Sequence, residues 1–347
     1  MTTSYRRDFS YECIYCWGTG LLGSEASREL IKRGHQVFSL ALPLVPEGEL
    51  LPKEMKLSFG NYLEMSDIEI EQLMNDCEGF VFAAGVDERI EGTSPIYQFY
   101  AKYNIKPLER ILKVAKKVGI RHVVVLGSYF SYFARKWEDL KLYDNHPYIR
   151  SRIDQANLAL SFSDETMDVS VLELPYIFGA QPGRKPVWTF LVEQIKSMKH
   201  FTMYPKGGTT MITVKQAAQC IAGALEKGVG GKNYPVGYYN LSWKQMLTIF
   251  HRYMGKPHKK IVTIPTFLYR YVIKLKVKEY QSKGIESGLD LLGLIQIMTR
   301  YAYIDKKLIE DAFDVQEDDI EEAIGQSVTL SMEVLKGKTK TIDMKGG

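Results

Sequence analysis

The segment CIYCWGTGLLG, residues 13–23, constrains the fold more than any other part of the chain. Gly18, Gly20 and Gly23 stand at G-x-G-x-x-G spacing, after an apolar run suited to a strand and before a helical pattern. In that context each glycine has its own physical task. Gly20 lets the backbone approach a pyrophosphate, and Gly23 lets helix and strand pack closely. The helix N-terminus supplies amide donors and the positive end of a dipole. The plainer alternative is a strand-to-helix turn that binds nothing. The context favours a dinucleotide cradle formed by Gly18, Thr19, Gly20, Leu21, Leu22 and Gly23.

The pattern then continues. Ala26, Leu30 and Ile31 lie at helical spacing, and Gly34 stops that helix. HQVFSLAL, MKLSFG, GFVFAAG (79–85), RHVVVLGS (121–128) and DVSVLELPYIFG (168–179) read as strands two to six. Helices are expected at EIEQLMND, as one long segment over 96–118, and at about 149–162. GFVFAAG has no polar alternation, so both of its faces should be covered. Strands alternating with helices predict an α/β fold with a parallel sheet. After Gly179 prolines, aromatics and lysines increase, and helices at about 188–198, 215–227 and 242–254 are separated by turns such as GVGG (228–231). The expected organisation is a core over 9–179, a smaller lobe over 180–335 with segments returning to the core, and a disordered tail over 336–347.

Composition excludes several classes. At 347 residues, 45% hydrophobic and 25% charged, the chain can bury a sizeable core. Its 45 Lys and Arg nearly balance 41 Asp and Glu, and a net charge of +4 argues against a dedicated nucleic-acid binder. MTTSYRRDFSYE lacks the apolar stretch of a signal peptide. GLDLLGLIQIM (288–298) is too short to span a bilayer and carries Asp290 and Gln296. A cytoplasmic location without integral membrane association is therefore expected. The six histidines show no ligand spacing, so no metal is expected. Cys13 and Cys16 form a C-x-x-C pair, but strand residues three apart point to opposite faces. With Cys77 and Cys220 isolated, four reduced thiols are expected.

These segments, in this order, resemble the short-chain dehydrogenase/reductase superfamily, in its extended and atypical NAD-dependent epimerase/dehydratase branch. ELIKRGHQV is similar to that family's first helix and second strand, and FAAG to its fourth strand. KPLERILKVAKKVGIRHVVVLGS is similar to its fourth helix and fifth strand, and ELPYIFG to its R-P-x-x-V-Y-G segment. MITVKQAAQCIAGALE, YNLSWKQMLTIF and YIDKKLIEDAFDVQEDDIEEAIGQSV resemble its substrate lobe and C-terminal tail. The resemblance implies a Rossmann-type doubly wound parallel sheet of about seven strands, in order 3-2-1-4-5-6-7, with a smaller C-terminal substrate lobe. It also implies NAD or NADP as cofactor and a small-molecule substrate. Besides the glycine loop, it assigns cofactor contacts to Asn61, Ala83, Ala84, Gly85, Tyr148, Arg152, Pro175 and Ile177. It further implies a homodimer through the helices at 96–118 and 149–162, where Ile105, Leu108, Ile111, Leu112, Ile153, Leu158 and Phe162 supply apolar positions. The same residues could instead face the sheet.

In that family a tyrosine acts as acid/base, a lysine four residues on lowers its pKa and holds the nicotinamide ribose, and a hydroxyl after strand five orients the substrate oxygen. HPYIRSRID places Tyr148 and Arg152 at that spacing, one helical turn apart, and LGSYF offers Ser128. Tyr148 and Arg152 could equally start a helix and pair with Asp144 or Asp154. The chain departs from the family at four positions. Arg152 replaces the lysine; it stays cationic, but its planar fork does not copy a compact ammonium. Trp17 stands where the family's first loop glycine falls. Asn61 occupies what resembles an Asp site for the adenine amino group, a bond its side-chain oxygen can also accept. Glu173 replaces the arginine before the strand-six proline, which suits a nucleotide sugar less well.

SLALPL, at the end of strand two, carries neither an acid for a ribose hydroxyl nor an arginine for a 2′-phosphate, so NAD and NADP stay undistinguished. DERIE (87–91) brings charges to the cofactor mouth or forms a solvated loop. His146 contacts substrate or is simply exposed. Segments 266–280 and 288–298 cap an apolar pocket, rest on a membrane surface as a lipid-facing reductase would, or pack within the second lobe, which is the default. Two function classes follow. One is an NAD(P)-dependent oxidoreductase or epimerase/dehydratase, with Tyr148 as acid/base, Arg152 as electrostatic partner and Ser128 as substrate-orienting donor. The other is a non-catalytic dinucleotide-sensing or protein-binding pseudoenzyme of the same fold.

Overall fold

A computed structural model describes residues 14–42, 51–339 and 341, without the side chains of Cys16 and Trp17. The expectations about Trp17's bulk, Cys13, the core's first residues 9–13, the end of SLALPL and the tail residues 340 and 342–347 lie outside the described part.

Seven strands form the central sheet: β1 (Ile14–Trp17), β2 (Val37–Ala41), β3 (Lys56–Phe59), β4 (Gly79–Phe82), β5 (His122–Ser128), β6 (Asp168–Leu174) and β7 (Lys232–Pro235). Their order is 3-2-1-4-5-6-7, as the family resemblance implies, and every neighbouring pair is parallel, as the alternation of strands and helices predicts. Successive strand residues point to opposite faces. Ile14, Val81, Val124 and Leu172 therefore enter one core, beneath the helices α1 (Leu21–Lys32) and Val214–Lys227. Tyr15, Phe80, Phe82, Val123, Val125 and Val171 enter the other. That second core is covered by α2 (Asp67–Met74), α3 (Lys106–Lys117) and a helix over Pro147–Leu160. The continuous apolar runs of β4 and β5 are thus explained: both faces are buried. The strand order reverses between β1 and β4, and the crevice beyond their C-terminal ends is where open α/β sheets bind ligands.

The other helices of eight or more residues among the described residues are α4 (Tyr129–Lys136), α5 (Pro147–Leu160), α6 (Thr189–Ser197), α7 (Val214–Lys227), α8 (Trp243–Tyr253), α9 (Thr266–Ser282), α10 (Leu291–Met298) and α11 (Ile320–Leu335). The expected lobe boundary at 180 is crossed by α7 and β7, which return to the core. α6, α8 and α11 pack around Phe178, Trp188, Met211 and Trp243 as a separate apolar centre.

Several expectations need correction. The long helix over 96–118 is broken by a π-helical turn, Ala101–Ile105. Pro107 lacks an N–H and its ring crowds the preceding turn, which loosens the helical ladder just there. The turn directs Asn104 inward, where its side chain accepts from the Val86 N–H (2.8 Å) and donates to the Val86 carbonyl (3.2 Å). Leu108, Ile111 and Leu112 face the sheet and are fully buried, so a dimer surface could draw only on the half-buried Ile105, Ile153, Leu158 and Phe162. Cys77 is disulfide-bonded and Cys220 is a free, buried thiol, which corrects the expectation of four reduced thiols. Pairing of Ile14 with Gly79 sets Cys77 beside the start of β1, a neighbourhood that local spacing does not reveal. Finally, α9 lies against α10 on one side, as the default of packing within the lobe expects, but none of its residues is fully buried and its other side is bare.

Candidate functional site

β1 ends at Trp17, and Gly18 then turns the chain with φ +117°, a backbone conformation open to glycine and costly for other residues. Gly20 caps α1, whose first turn carries Leu21, Leu22 and Gly23. A Cβ on Gly23 would overlap the Gly18 carbonyl oxygen, so helix and loop can approach this closely only through glycine. The cradle opens into a cavity of about 350 Å³ lined by Gly18, Gly20, Leu21, Leu22, Gly23, Ala83, Pro175 and Ile177. Thr19 is not among the residues lining that cavity and is tied to the segment after β6. Its carbonyl accepts from Gln181 Nε2 and its hydroxyl from Arg184 Nη2, each at 3.0 Å. Arg184 and Lys185 therefore bring cations to the rim of the cradle. Sequence reasoning missed Gln181, Arg184 and Lys185, because nothing local links them to residues more than 160 positions earlier.

A second cavity, of about 260 Å³, shares Leu22, Ala83, Pro175 and Ile177 with the first and brings in Ala84, Gly85, Ser128, Tyr148 and Arg152. The three residues singled out for chemistry thus meet beyond the sheet's C-terminal edge. Ser128 ends β5 and caps α4, its oxygen accepting from the Phe130 N–H at 3.4 Å. Tyr148 and Arg152 rise from the first turns of α5. The Arg152 guanidinium lies 6.0 Å from the centre of the Tyr148 ring and donates through Nη2 to the Leu126 carbonyl. Its Nε is buried without a hydrogen-bond partner, a donor that an oxygen in the cavity would satisfy. Asp154, the alternative partner for these side chains, is engaged by Tyr97 at 2.5 Å and Tyr143 at 2.9 Å. Asn61 is not among the residues lining these cavities; its side-chain oxygen accepts from the Leu63 N–H at 3.1 Å.

Burial, helped by Glu88 and Asp87, raises the Tyr148 phenol to about 12. Arg152 and a hydrogen bond with Ser128 oppose the shift. At neutral pH Tyr148 is therefore a protonated phenol, prepared to donate. Glu173 is fully buried on β6, and both of its oxygens accept from Arg135 Nη2 at 2.7 Å. It thus holds α4 against the sheet, and burial raises its carboxyl to about 7.

The start of α5 is latched by a loop of the second lobe. Tyr148 N–H donates to the Gly288 carbonyl at 2.8 Å, and Asp290 N–H donates to His146 Nδ1 at 3.0 Å. His146 is buried, not the exposed loop residue the sequence suggested. The Gly288–Asp290 contact covers it, and burial lowers its pKa from 6.5 to about 4. Because the folded pKa is the depressed one, the contribution to stability is complete above the unfolded value and is lost as pH falls from 6.5 towards 4. Urea unfolding should show wild type losing about 2 kcal/mol more between pH 7 and pH 5 than His146→Asn, which keeps an acceptor for Asp290. Equal losses would exclude His146 as the source.

A third cavity, of about 410 Å³, adjoins the second through Glu88, Tyr129, Phe130 and Tyr176. Its walls are apolar and aromatic, with Phe190, Trp243, Leu289, Leu294 and Met298 among them. Its two basic side chains are engaged, Arg89 by Asp87 and Lys276 by Tyr280. Of the DERIE run, Asp87, Glu88 and Arg89 line these cavities. No group of three or more His, Cys, Asp or Glu suited to a metal occurs among the described residues.

This combination of sheet, glycine cradle and adjoining side chains has known relatives. The chain belongs to the NAD dependent epimerase/dehydratase family, whose model matches residues 18–237. No curated protein matches it in sequence. Among solved structures, that of gox2253 is similar with a TM-score of 0.72 at 15% identity, covering 95% of this chain and 100% of the other. A nucleoside-diphosphate-sugar epimerase from Pseudomonas aeruginosa is similar with a TM-score of 0.69 at 14% identity, covering 94% and 99%. UDP-glucuronic acid 4-epimerase from Bacillus cereus, solved with UDP-glucuronic acid and NAD, is similar with a TM-score of 0.65 at 13% identity, covering 93% and 99%.

Proposed function

We propose that this protein is an NAD(P)-dependent oxidoreductase or epimerase/dehydratase acting on a hydroxyl or carbonyl carbon held between Ser128 and Tyr148. The observation that carries the reading is the meeting of Ser128, Tyr148 and Arg152 in a cavity that shares walls with the glycine cradle. The family match and the NAD in the Bacillus cereus enzyme's structure support it.

The residues present suit a dinucleotide. The Gly18–Gly23 approach leaves a bare backbone at the N-terminus of α1, where a pyrophosphate is favoured, and Arg184 and Lys185 add positive charge at the rim. Arg152 Nε is an unmet buried donor on a residue that lines the cavity beside the cradle, and it would suit a ribose hydroxyl. A bound nicotinamide would supply the hydride acceptor or donor. The chain's own contribution is proton handling and orientation: Ser128 holds the substrate oxygen, and Tyr148 gives it a proton or takes one. Arg152 stabilises the tyrosinate when the proton leaves. The third cavity favours a substrate with an apolar or aromatic body, since its engaged cations leave no guanidinium to receive a diphosphate. A symmetric dimer, where formed, would use the half-buried Ile105, Ile153, Leu158 and Phe162.

Equilibrium titration with NAD, NADH, NADP and NADPH tests the reading. Saturable binding of at least one form is expected, and absence of binding by all four would overturn it. The pseudoenzyme reading draws on one observation, the tether between Arg152 and the Leu126 carbonyl. Arg152→Lys separates the two: a catalyst keeps or gains activity with the compact ammonium, whereas a sensor binds dinucleotide and turns over nothing in either form.

A further inference from the structure

Helix α9 turns an apolar face outward. Phe267, Leu268, Tyr271, Val272 and Leu275 recur at helical spacing and are 71%, 49%, 65%, 60% and 54% exposed. The opposite side contributes Tyr269 and Lys276 to the third cavity, so the helix roofs that chamber with one face and leaves the other bare. Single exposed apolar side chains are ordinary, but five on one helix face make a patch that marks an interaction surface. The ribbon that leads into α9, Phe201–Tyr204 paired with Lys260–Thr263, extends the apolar surface through exposed Phe201, Met203 and Val262.

Charge identifies the occupant. Arg270, Lys274 and Lys278 each follow a stripe residue (Phe267, Tyr271, Leu275) by three positions and form the adjoining row. The helix holds one carboxylate, Glu279, and Lys283 neutralises it at 2.6 Å. A second copy of α9 would set basic rows against each other, whereas an anionic surface complements them. A helix with a basic row beside an apolar stripe suits the headgroup layer of a bilayer. No helix among the described residues is long and apolar enough to cross a membrane, so the contact would be peripheral.

We propose that α9 docks the protein onto the surface of an anionic lipid membrane, with its apolar stripe among the acyl–headgroup boundary and its basic row against lipid phosphates. The full chain is mixed with phosphatidylcholine vesicles, with or without phosphatidylserine, and pelleted. Expected results are co-sedimentation with the phosphatidylserine vesicles, weaker partitioning into pure phosphatidylcholine, and weakening by salt. Tyr271→Glu/Leu275→Glu should reduce partitioning about tenfold or more, with thermal unfolding unchanged because both side chains are exposed. Lys274→Glu/Lys278→Glu should remove the preference for phosphatidylserine. Failure of wild type to pellet with either vesicle overturns the proposal, as does wild-type partitioning by the Tyr271→Glu/Leu275→Glu variant. Light scattering that shows a wild-type dimer made monomeric by those substitutions, without vesicle binding, would assign the face to a second copy instead.

Discussion

Tyr148→Phe is expected to lower turnover about 10²- to 10⁴-fold, the usual range for loss of a positioned acid/base, while dinucleotide affinity stays nearly unchanged. In the proposed role the phenol acts on the substrate oxygen, and removing it leaves the ring in contact with Tyr100 and Phe130 at 5.6 and 6.4 Å between centres. The pH dependence should be equally informative. Burial holds the phenol at about 12 in the cofactor-free protein, so proton donation, which accompanies carbonyl reduction, needs no prior ionisation. The oxidative direction requires tyrosinate, and its rate should climb towards alkaline pH until a cation lowers the phenol. Glu88 raises the phenol pKa, so Glu88→Gln should move that rise to lower pH. Initial rates of wild type and both variants across pH, with a substrate found by screening, check each statement. Wild-type turnover by Tyr148→Phe would remove Tyr148 from the chemistry.

Gly23→Ala should both destabilise the fold, by about 1–3 kcal/mol as for other overpacked sites, and abolish measurable dinucleotide binding. Its methyl meets the Gly18 carbonyl, which is backbone and cannot rotate away. Gly20→Ala gives the contrast. No atom lies within 4 Å of a Cβ at that position, and Gly20 already has φ −73°, so the unliganded fold should lose no more than about 1 kcal/mol, the cost of alanine in place of glycine at a helix N-cap. Under the proposed function the methyl would enter the space a pyrophosphate needs, so affinity should fall sharply. Thermal unfolding and titration on both variants separate packing from binding. A turn that serves structure alone would show the first effect and no ligand to lose.

The sequence made the sheet legible because each strand carries its own pattern. Buried runs such as GFVF and HVVVLG sit between helices with clear stops, whereas the strand order comes from the family resemblance and not from these patterns. The spacing of Tyr148 and Arg152 was likewise readable, since a helix converts four residues into one face. What stayed hidden depends on distant pairs. Nothing near Thr19 announces Gln181, and nothing near His146 announces Asp290. α4 follows β5 with no intervening loop, so Ser128 both ends the strand and caps the helix, and the apolar run into YFSYFARK hides that change. The break at Asn104 is decided by Pro107 together with a buried partner at Val86. α9 has an apolar pattern that reads as core, and only the fold shows which side of it is covered.

The loop that latches α5 bears on how such a protein can be altered by exchange of parts. Tyr148 belongs to the core by sequence, yet the carbonyl that receives its N–H and the amide that engages His146 come from Gly288 and Asp290. Grafting a foreign C-terminal half to change what the protein accepts would therefore also reset the position of its proposed proton donor. A chimera that keeps residues 286–293 with its native α5 should retain that placement, whereas a junction upstream of them exchanges specificity and chemistry together.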